Sequence, residues 1–173
     1  HAGASGVGSA AIQLAKARKC HVTVTVSSDA KAKACLAFGA DCTINYQNTD
    51  FVAWSKENVS TGYDVIIDVV SGEYLAKNIN VAALDGHIVT LSMLGGRYCS
   101  QVDIAKLLAK RLTLSASTLR NRSENYKAQL VASFTRDFYA DLVTGKIKPI
   151  IDLTYPWQQA EQAHEKMAQN NNI

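Results

Sequence analysis

The sequence predicts an α/β fold, a doubly wound parallel sheet of the Rossmann type that lacks its first and last strands. Three glycines, at positions 3, 6 and 8, lead directly into a helical pattern. β-Branched runs then alternate with segments of ordinary helix length, which is typical of a βαβ series. The run at 63–70 is nearly continuously apolar, as expected for a strand with both faces buried in a parallel sheet.

The two missing strands follow from the ends of the chain. A doubly wound domain needs a strand immediately before its glycine turn, and here the first residue already lies on that turn. No strand pattern follows residue 170. We therefore expect a piece of a longer protein, with a dinucleotide-binding domain at 1–145 and a return segment plus C-terminal helix at 146–173.

The composition limits the possible classes. The chain has 173 residues, of which 47% are hydrophobic and 19% charged, which suits a globular domain with a sizeable core. A net charge of +3 is too small to indicate nucleic-acid binding by itself. No apolar run approaches the roughly 18 residues of a membrane span, and no signal peptide is visible.

The four cysteines, at 20, 35, 42 and 99, are scattered and form no C-x-x-C pair. Metal sites built from cysteine need closer ligand spacing, so we expect no metal site. We interpret the cysteines as reduced thiols of a cytoplasmic protein, with most of them acting as small hydrophobic residues in the core.

The first half of the chain predicts helices and strands from local patterns. The glycine turn leads into a helix with one apolar face, and Lys19 lies where such a helix usually ends on glycine. Residues 21–26 are β-branched and alternating, as in a strand. Polar residues at 27–29 provide an N-cap for a second helix that stops at Gly39. The elements predicted after the first strand are a helix at 30–38, a strand at 42–46, a helix at 50–59 and the strand at 63–70.

The second half continues the alternation. Asp85-Gly86 predicts a turn, Gly95-Gly96 opens a loop, and Gly145 ends a long helix. The two prolines, Pro149 and Pro156, bracket an extended segment. The predicted elements are helices at 73–84, 104–110, 124–144 and 157–170, strands at 87–91 and 112–119, and the extended segment at 148–156.

The stretch 3–8 predicts a turn that binds phosphate. Glycines let a phosphate approach the backbone, and the following helix offers free N–H groups and the positive end of its dipole. Ser5 stands where the strict G-x-G-x-x-G fingerprint has its middle glycine. A purely structural glycine turn that caps a helix is therefore the alternative.

Two interpretations compete for the nucleotide. An NAD domain places an acidic residue about 20 residues beyond the glycine turn to bind the ribose, and Asp29 is the candidate. Alternatively, Ser27 or Ser28, Lys31 and Tyr46 bind a 2′-phosphate. We favour the phosphate, because Lys31 in the first turn of its helix opposes the helix dipole by about 0.3–1 kcal/mol, and a bound anion removes that penalty. Tyr46 ends the strand that neighbours this position in a doubly wound sheet.

Motifs spread over nearly the whole chain resemble the medium-chain dehydrogenase/reductase superfamily, in its zinc-free NADPH quinone oxidoreductase branch and most of all its p53-inducible type. Ser71 and Lys19 depart from glycines that are common in the family. The motifs are 1–8 with 10–14, 39–40 with 44–46, Asp68 with 72–74, 77–80, 83–86, 93–96, and 155–156 with 163–164.

The resemblance implies an NADPH-binding domain that is normally paired with an N-terminal barrel-like catalytic domain, which is absent here. It also implies a homodimer, because the stretch 114–119 resembles a strand that pairs across two subunits. The cofactor-binding residues that it implies are Gly6, Val7 and Gly8 for the phosphate turn, Ser28, Lys31 and Tyr46 for the 2′-phosphate, and Leu91, Ser92, Met93, Leu119 and Arg120 on the nicotinamide side.

The implied reaction is hydride transfer from the nicotinamide to a quinone or another electron-poor alkene or carbonyl. The cofactor carries this chemistry, so we assign no catalytic residue, and we interpret Asp68 as a structural or ribose-side group.

One competing class is a binding module without catalysis, such as crystallins and nucleotide-dependent RNA binders of the same superfamily. The chain has no basic stripe interleaved with aromatic residues, so we expect neither a nucleic-acid nor a membrane partner. A methyltransferase would need an acidic residue where Ser27-Ser28 stands.

Overall fold

The computed structural model describes residues 1–170 and 172–173, and it is a mixed α/β structure with parallel sheets. The residues form two compact units. The glycine-turn unit consists of Ala2–Asn45 and Thr135–Ile173, and the three-strand unit consists of His1 and Tyr46–Phe134. The elements are α1 (Gly6–Ala17), β1 (Thr23–Val26), α2 (Asp29–Ala37), β2 (Cys42–Asn45), α3 (Phe51–Asn58), β3 (Tyr63–Asp68), α4 (Tyr74–Val81), β4 (Ala82–Thr90), α5 (Ile104–Lys110), β5 (Thr113–Ala116), α6 (Glu124–Val143), a 3₁₀ turn (Trp157–Gln159) and α7 (Ala160–Ala168).

In the glycine-turn unit, β1 and β2 form a parallel pair in which Thr23 lies opposite Cys42. The approach between the glycine turn and this pair is close, because a Cβ on Gly3 would lie 2.7 Å from the Cβ of Val24. The Gln13 amide of α1 binds both main-chain groups of Lys148 and thereby fixes the return segment. The buried hydrophobic residues that form the core here are Ala4, Ile12, Val24, Val26, Cys35 and Ala40.

In the three-strand unit, β3, β4 and β5 form a parallel sheet in that order. The prediction of a helix through residue 84 is wrong at its end, because α4 stops at Val81 and β4 begins at Ala82, which lies opposite Tyr63. The predicted Asp85-Gly86 turn lies inside β4 as an irregularity of register. Two long-range interactions stop the helix. Ala82 pairs with β3, and the Lys110 ammonium donates to the carbonyl oxygens of Ile79, Asn80 and Ala82 at 3.1, 3.0 and 2.6 Å.

The apolar run at 63–70 forms β3, as predicted, but the strand is not buried on both faces. Val65 is 59% exposed and Ile67 36% exposed, whereas Ile66 and Asp68 are buried. The helices that pack on this sheet, α4 and α5, contact β4. They therefore leave part of one face of β3 open to solvent.

Lys19, which stands where a helix such as α1 usually ends on glycine, adopts the left-handed conformation, with φ of 61°. We expect Lys19→Gly to stabilise the full-length protein by about 0.5–1 kcal/mol, because glycine takes positive φ without steric cost. Urea unfolding measures the change. Lys33→Gly is the matched control, since Lys33 is an exposed residue inside α2 and glycine there should cost about 1 kcal/mol. Destabilisation by Lys19→Gly would contradict the assigned backbone conformation.

The prediction that most cysteines lie in the core is wrong. Only Cys35 is buried; Cys42 and Cys99 are half-buried and Cys20 is exposed. Cys20 lies in the turn after α1 rather than within an element, so no packing face covers it.

Burial raises the pKa of the Cys35 thiol to about 11, and the nearby Lys31 charge only partly opposes this. The thiolate is the reactive form, and with this pKa only about 0.1% of the Cys35 thiol is deprotonated at pH 8. We expect a disulfide reagent to label exposed Cys20 in the native protein at least about 100-fold faster than Cys35, with Cys35 reacting after urea unfolding. Peptide mapping by mass spectrometry measures the order, and rapid native labelling of Cys35 would contradict its burial.

Among the described residues, no helix is both long and apolar enough to cross a membrane.

Candidate functional site

The N-terminus of α1 presents unpaired main-chain donors. Ser5 is the N-cap, and its hydroxyl accepts from the Gly8 N–H at 3.0 Å, while its carbonyl accepts from the Ser9 N–H at 2.8 Å. In the described part of the chain no protein acceptor is recorded for the N–H groups of Gly6 and Val7, and both residues are exposed. Two N–H donors at the positive end of a helix can bind an anion.

Gly6 and Gly8, both at the start of α1, differ in whether neighbouring atoms leave room for a side chain. A Cβ on Gly8 would lie 2.3 Å from the carbonyl oxygen of Ala2 and 2.6 Å from that of Gly3, so the protein backbone itself excludes a side chain there. A Cβ on Gly6 would meet nothing within 4 Å. No described residue excludes a side chain at position 6, and alanine is the better helix former by up to about 1 kcal/mol. The space beside the free N–H groups is therefore open rather than filled by described residues.

Lys31 is almost buried, with 9% exposure, and its ammonium lies against neutral oxygens. It donates to the carbonyl oxygen of Asn170 at 2.6 Å and to the side-chain oxygen of Asn170 at 2.9 Å. None of the ion pairs among the described residues includes Lys31. An almost buried cation without a carboxylate partner is a suitable ligand for an anion.

The neighbouring polar residues are already hydrogen-bonded. The Ser28 hydroxyl caps α2 by accepting from the Lys31 N–H at 3.3 Å, and its own O–H remains able to donate. Asp29, the candidate for a ribose hydroxyl, accepts from the side-chain amide of Asn45 at 2.7 Å. A ribose at Asp29 would therefore share this carboxylate with an existing hydrogen bond.

Tyr46 lines a cleft of about 390 Å³ in the three-strand unit. Its walls are the loop 47–50, Phe51, Tyr74 and Lys77. The Lys77 ammonium lies 5.7 Å from the centre of the Phe51 ring and 5.8 Å from that of Tyr74. Burial, followed by the nearby Tyr46, Asp68 and Asp50 groups, raises the pKa of Tyr74, so its hydroxyl stays neutral at physiological pH. The cleft thus combines aromatic rings, amide groups and one cation.

The loops that follow β3 and β4 are joined by hydrogen bonds. The buried Asp68 carboxylate accepts from the N–H groups of Val70 and Ser71 at 2.7 and 2.9 Å and from the Asn78 amide at 2.9 Å. The Ser71 hydroxyl donates to the Ser92 carbonyl at 2.6 Å. These hydrogen bonds give Asp68 a structural role in joining the loop after β3 to α4.

The residues predicted on the nicotinamide side lie in two loops of the three-strand unit. Leu91 and Met93 are 41% and 63% exposed, and Ser92 is half-buried. At the carboxyl end of β5 lies a second cleft of about 340 Å³, and the predicted Leu119 and Arg120 are not among its lining residues. This cleft is lined by Ala116, Ser117, Thr118, Asn121 and Arg122.

No three His, Cys, Asp or Glu side chains come together as a metal site within the described residues.

Three features of the site are not predictable from local sequence: the Asn170 contact of Lys31, the Asp68–Asn78 bond and the Ser71–Ser92 bond. They join residues that are 139, 10 and 21 positions apart in the chain, respectively. The one signal in the sequence is Ser71 itself, a serine where the related family commonly has glycine.

The parallel sheets and the glycine turn at a helix N-terminus define a nucleotide-binding α/β domain of the Rossmann type. A family model described as zinc-binding dehydrogenase matches residues 6–136. A zinc-type alcohol dehydrogenase-like protein of Schizosaccharomyces pombe is 32% identical over 94% of this chain and 46% of its own length. Human quinone oxidoreductase is 25% identical over 96% of this chain and 49% of its own length.

The same fold occurs in the crystal structure of Escherichia coli quinone oxidoreductase complexed with NADPH. That structure is 27% identical, with a TM-score of 0.79 over 98% of this chain and 52% of that protein. The chain belongs to the zinc-binding dehydrogenase family of the medium-chain dehydrogenase/reductase superfamily, in its quinone oxidoreductase-like branch. It spans about half the length of the curated relatives it matches.

Proposed function

We propose that the full-length protein is an NADPH-dependent, zinc-independent oxidoreductase that transfers a hydride to a quinone or another electron-poor alkene or carbonyl, and that this chain binds the cofactor. The observation that carries the choice of NADPH over NADH is the almost buried Lys31 ammonium, whose partners among the described residues are neutral oxygens and include no carboxylate. A 2′-phosphate supplies the missing negative charge. The family membership and the relatives named above support the class of reaction.

In this proposal each group of residues has a separate task. The free N–H groups of Gly6 and Val7, with the turn kept tight by Gly8, hold the pyrophosphate. Ser28, Lys31 and Tyr46 hold the 2′-phosphate end of the cofactor. The residues that orient the nicotinamide are Leu91, Ser92, Met93, Leu119 and Arg120.

Bound NADPH supplies the hydride, and the protein orients the nicotinamide and excludes water from it. Phosphate contacts of the kind proposed for Lys31 do not change during hydride transfer, so they contribute to binding rather than to the rate of the chemical step. We assign the remaining substrate contacts to parts of the full-length protein outside this chain.

We also propose a homodimer that pairs through the stretch 114–119. In the three-strand unit β5 is an edge strand, and all four of its residues are exposed. The open N–H and C=O groups of such an edge favour pairing with a second strand. A monomer in light scattering of the full-length protein would contradict this.

We place the protein in the cytoplasm, where an exposed thiol such as that of Cys20 stays reduced.

The test is NADPH oxidation by the full-length protein with a small ortho-quinone and with an enone. We expect turnover with NADPH and a much lower kcat/KM with NADH. NADPH binding without turnover on any quinone or enone would support a non-catalytic nucleotide-binding module instead. Absence of NADPH binding would overturn the proposed function altogether.

A further inference from the structure

Ser71 occupies a backbone conformation that favours glycine. Its φ is 59°, and the next residue, Gly72, has φ of 57°. A side chain at such a position is less favourable than glycine, so a serine there needs a compensating interaction. The structure shows one in the hydrogen bond from the Ser71 hydroxyl to the Ser92 carbonyl at 2.6 Å.

This bond supplements the main-chain hydrogen bonds of the loop, one of which the Met93 carbonyl accepts from the Gly96 N–H at 3.2 Å. On one side of Ser92, the Leu91 N–H donates to the Asp68 carbonyl at 2.8 Å, and on the other the Leu94 N–H donates to the Val69 carbonyl at 3.3 Å. The two residues between these anchors are Ser92 and Met93, and Met93 is 63% exposed. The Ser71 hydroxyl therefore fixes the middle of the 91–94 loop to the loop that follows β3.

The backbone of Ser71 is fixed by a hydrogen bond to the buried Asp68 carboxylate. Asp68 is fully buried and accepts from the Ser71 N–H at 2.9 Å, while its second oxygen accepts from the fully buried Asn78 amide. A Cβ on Gly72 would lie 3.0 Å from the Gly95 carbonyl oxygen, so the two loops are in close contact beside Ser71. These buried hydrogen bonds and the close contact between the loops consequently fix the direction of the Ser71 hydroxyl.

We propose that Ser71 is a positioning residue for hydride transfer: through the Ser92 carbonyl it sets the position of residues 91–93, against which the nicotinamide lies. This inference rests on the proposed function, in which Leu91, Ser92 and Met93 contact the nicotinamide. It concerns the orientation of the nicotinamide and leaves the phosphate contacts of the cofactor unchanged.

The experiment compares Ser71→Gly with Ser71→Ala in the full-length protein. Both variants lose the hydroxyl, but Ser71→Gly removes the unfavourable side chain and Ser71→Ala retains it. We expect both to lower kcat for NADPH oxidation by a similar factor of about three to ten, the effect of one hydrogen bond. The melting temperature should be higher for Ser71→Gly than for Ser71→Ala. The two variants should therefore have similar kcat values although their stabilities differ.

Three further readouts separate positioning from a merely structural role. The deuterium isotope effect with NADPH labelled at the transferred hydrogen should rise in both variants, and the emission of the bound nicotinamide should shift. The Kd of 2′,5′-ADP, which lacks the nicotinamide, should stay within twofold of the wild type. Lys19→Gly is the control for relief of backbone strain without loss of a hydroxyl, and its kcat should be unchanged.

The outcomes distinguish this inference from the proposed function. Wild-type rates in both Ser71 variants, or a defect in Ser71→Ala that Ser71→Gly does not share, would overturn the positioning role while NADPH turnover by the wild type stands. An equal loss of 2′,5′-ADP affinity and of rate would also overturn it, since the defect would then be general. A wild-type protein that does not bind NADPH would overturn both.

Discussion

Replacing Gly8 with alanine is expected to destabilise the full-length protein by about 2–4 kcal/mol and to abolish measurable NADPH binding. The added Cβ would lie 2.3 Å from the Ala2 carbonyl oxygen and 2.6 Å from the Gly3 carbonyl oxygen. Both obstacles are backbone atoms of the glycine turn, so the turn must open to accept the methyl group. Urea unfolding and calorimetric titration with NADPH measure the two effects.

Gly6→Ala is the matched control, because the same methyl group at position 6 meets no atom of the residues that the structure describes within 4 Å. This variant should fold with equal or slightly higher stability, since alanine favours the helix by up to about 1 kcal/mol. It should nevertheless bind NADPH at least tenfold more weakly, roughly 1.4 kcal/mol, because the methyl group occupies the space beside the free N–H groups. Unchanged NADPH affinity in Gly6→Ala would show that no phosphate approaches this turn.

Lys31→Ala is expected to weaken NADPH binding by about 10- to 100-fold while NADH binding changes less than about twofold. A hydrogen bond to a charged group contributes about 1.5–3 kcal/mol, which corresponds to this range. NADH has a neutral 2′-hydroxyl in place of the 2′-phosphate, so the Lys31 ammonium has no ionic partner on that nucleotide. Calorimetric titrations with both nucleotides at one salt concentration measure the ratio.

The controls for Lys31 come from the same helix. Lys33→Ala removes an exposed lysine two residues further on and should leave both affinities unchanged. Lys31→Arg keeps the charge and should retain most of the preference for NADPH. Because the Lys31 ammonium also holds Asn170, the melting temperature of each variant is needed to separate binding from stability.

Equal losses for NADPH and NADH in Lys31→Ala would contradict the phosphate assignment. The competing interpretation, in which Asp29 binds the ribose, predicts instead that Asp29→Ala selectively weakens NADH. We expect Asp29→Ala to have little effect on the NADPH affinity, since its carboxylate is held by the Asn45 amide.

Local patterns predict the order of elements well because the signals that start and stop them are local. Helix α5 has the predicted bounds, 104–110, with Asp103 as its N-cap. Helix α6 begins at Glu124 as predicted and is followed by Gly145, which has φ of 73°. The left-handed conformation at Lys19 also follows from its place at the end of a helix.

The errors occur where a distant residue decides the outcome. The end of α4 depends on Tyr63 across the sheet and on Lys110, whose contacts with Ile79, Asn80 and Ala82 span 28–31 residues. The exposure of Val65 depends on which helices cover β3, and an apolar pattern cannot report that.

The site follows the same rule. The glycine turn is a local motif, and its tight packing at Gly8 and open space at Gly6 agree with the predicted phosphate turn. The burial of Lys31 depends on Asn170, which lies 139 residues away, so the sequence indicates the cation but not its environment. Ser71 stands out in the sequence as a serine in place of a common glycine, but its partner Ser92 becomes visible only in the folded chain.

The most direct measurement is the distance from the Lys31 ammonium to the 2′-phosphate in a crystal structure of the full-length protein with NADPH. We expect the nearest phosphate oxygen within about 3.2 Å of the Lys31 Nζ, in place of the Asn170 oxygens that hold it in the present structure. Bound NADPH whose 2′-phosphate points into solvent, with Lys31 still on Asn170, would contradict the account.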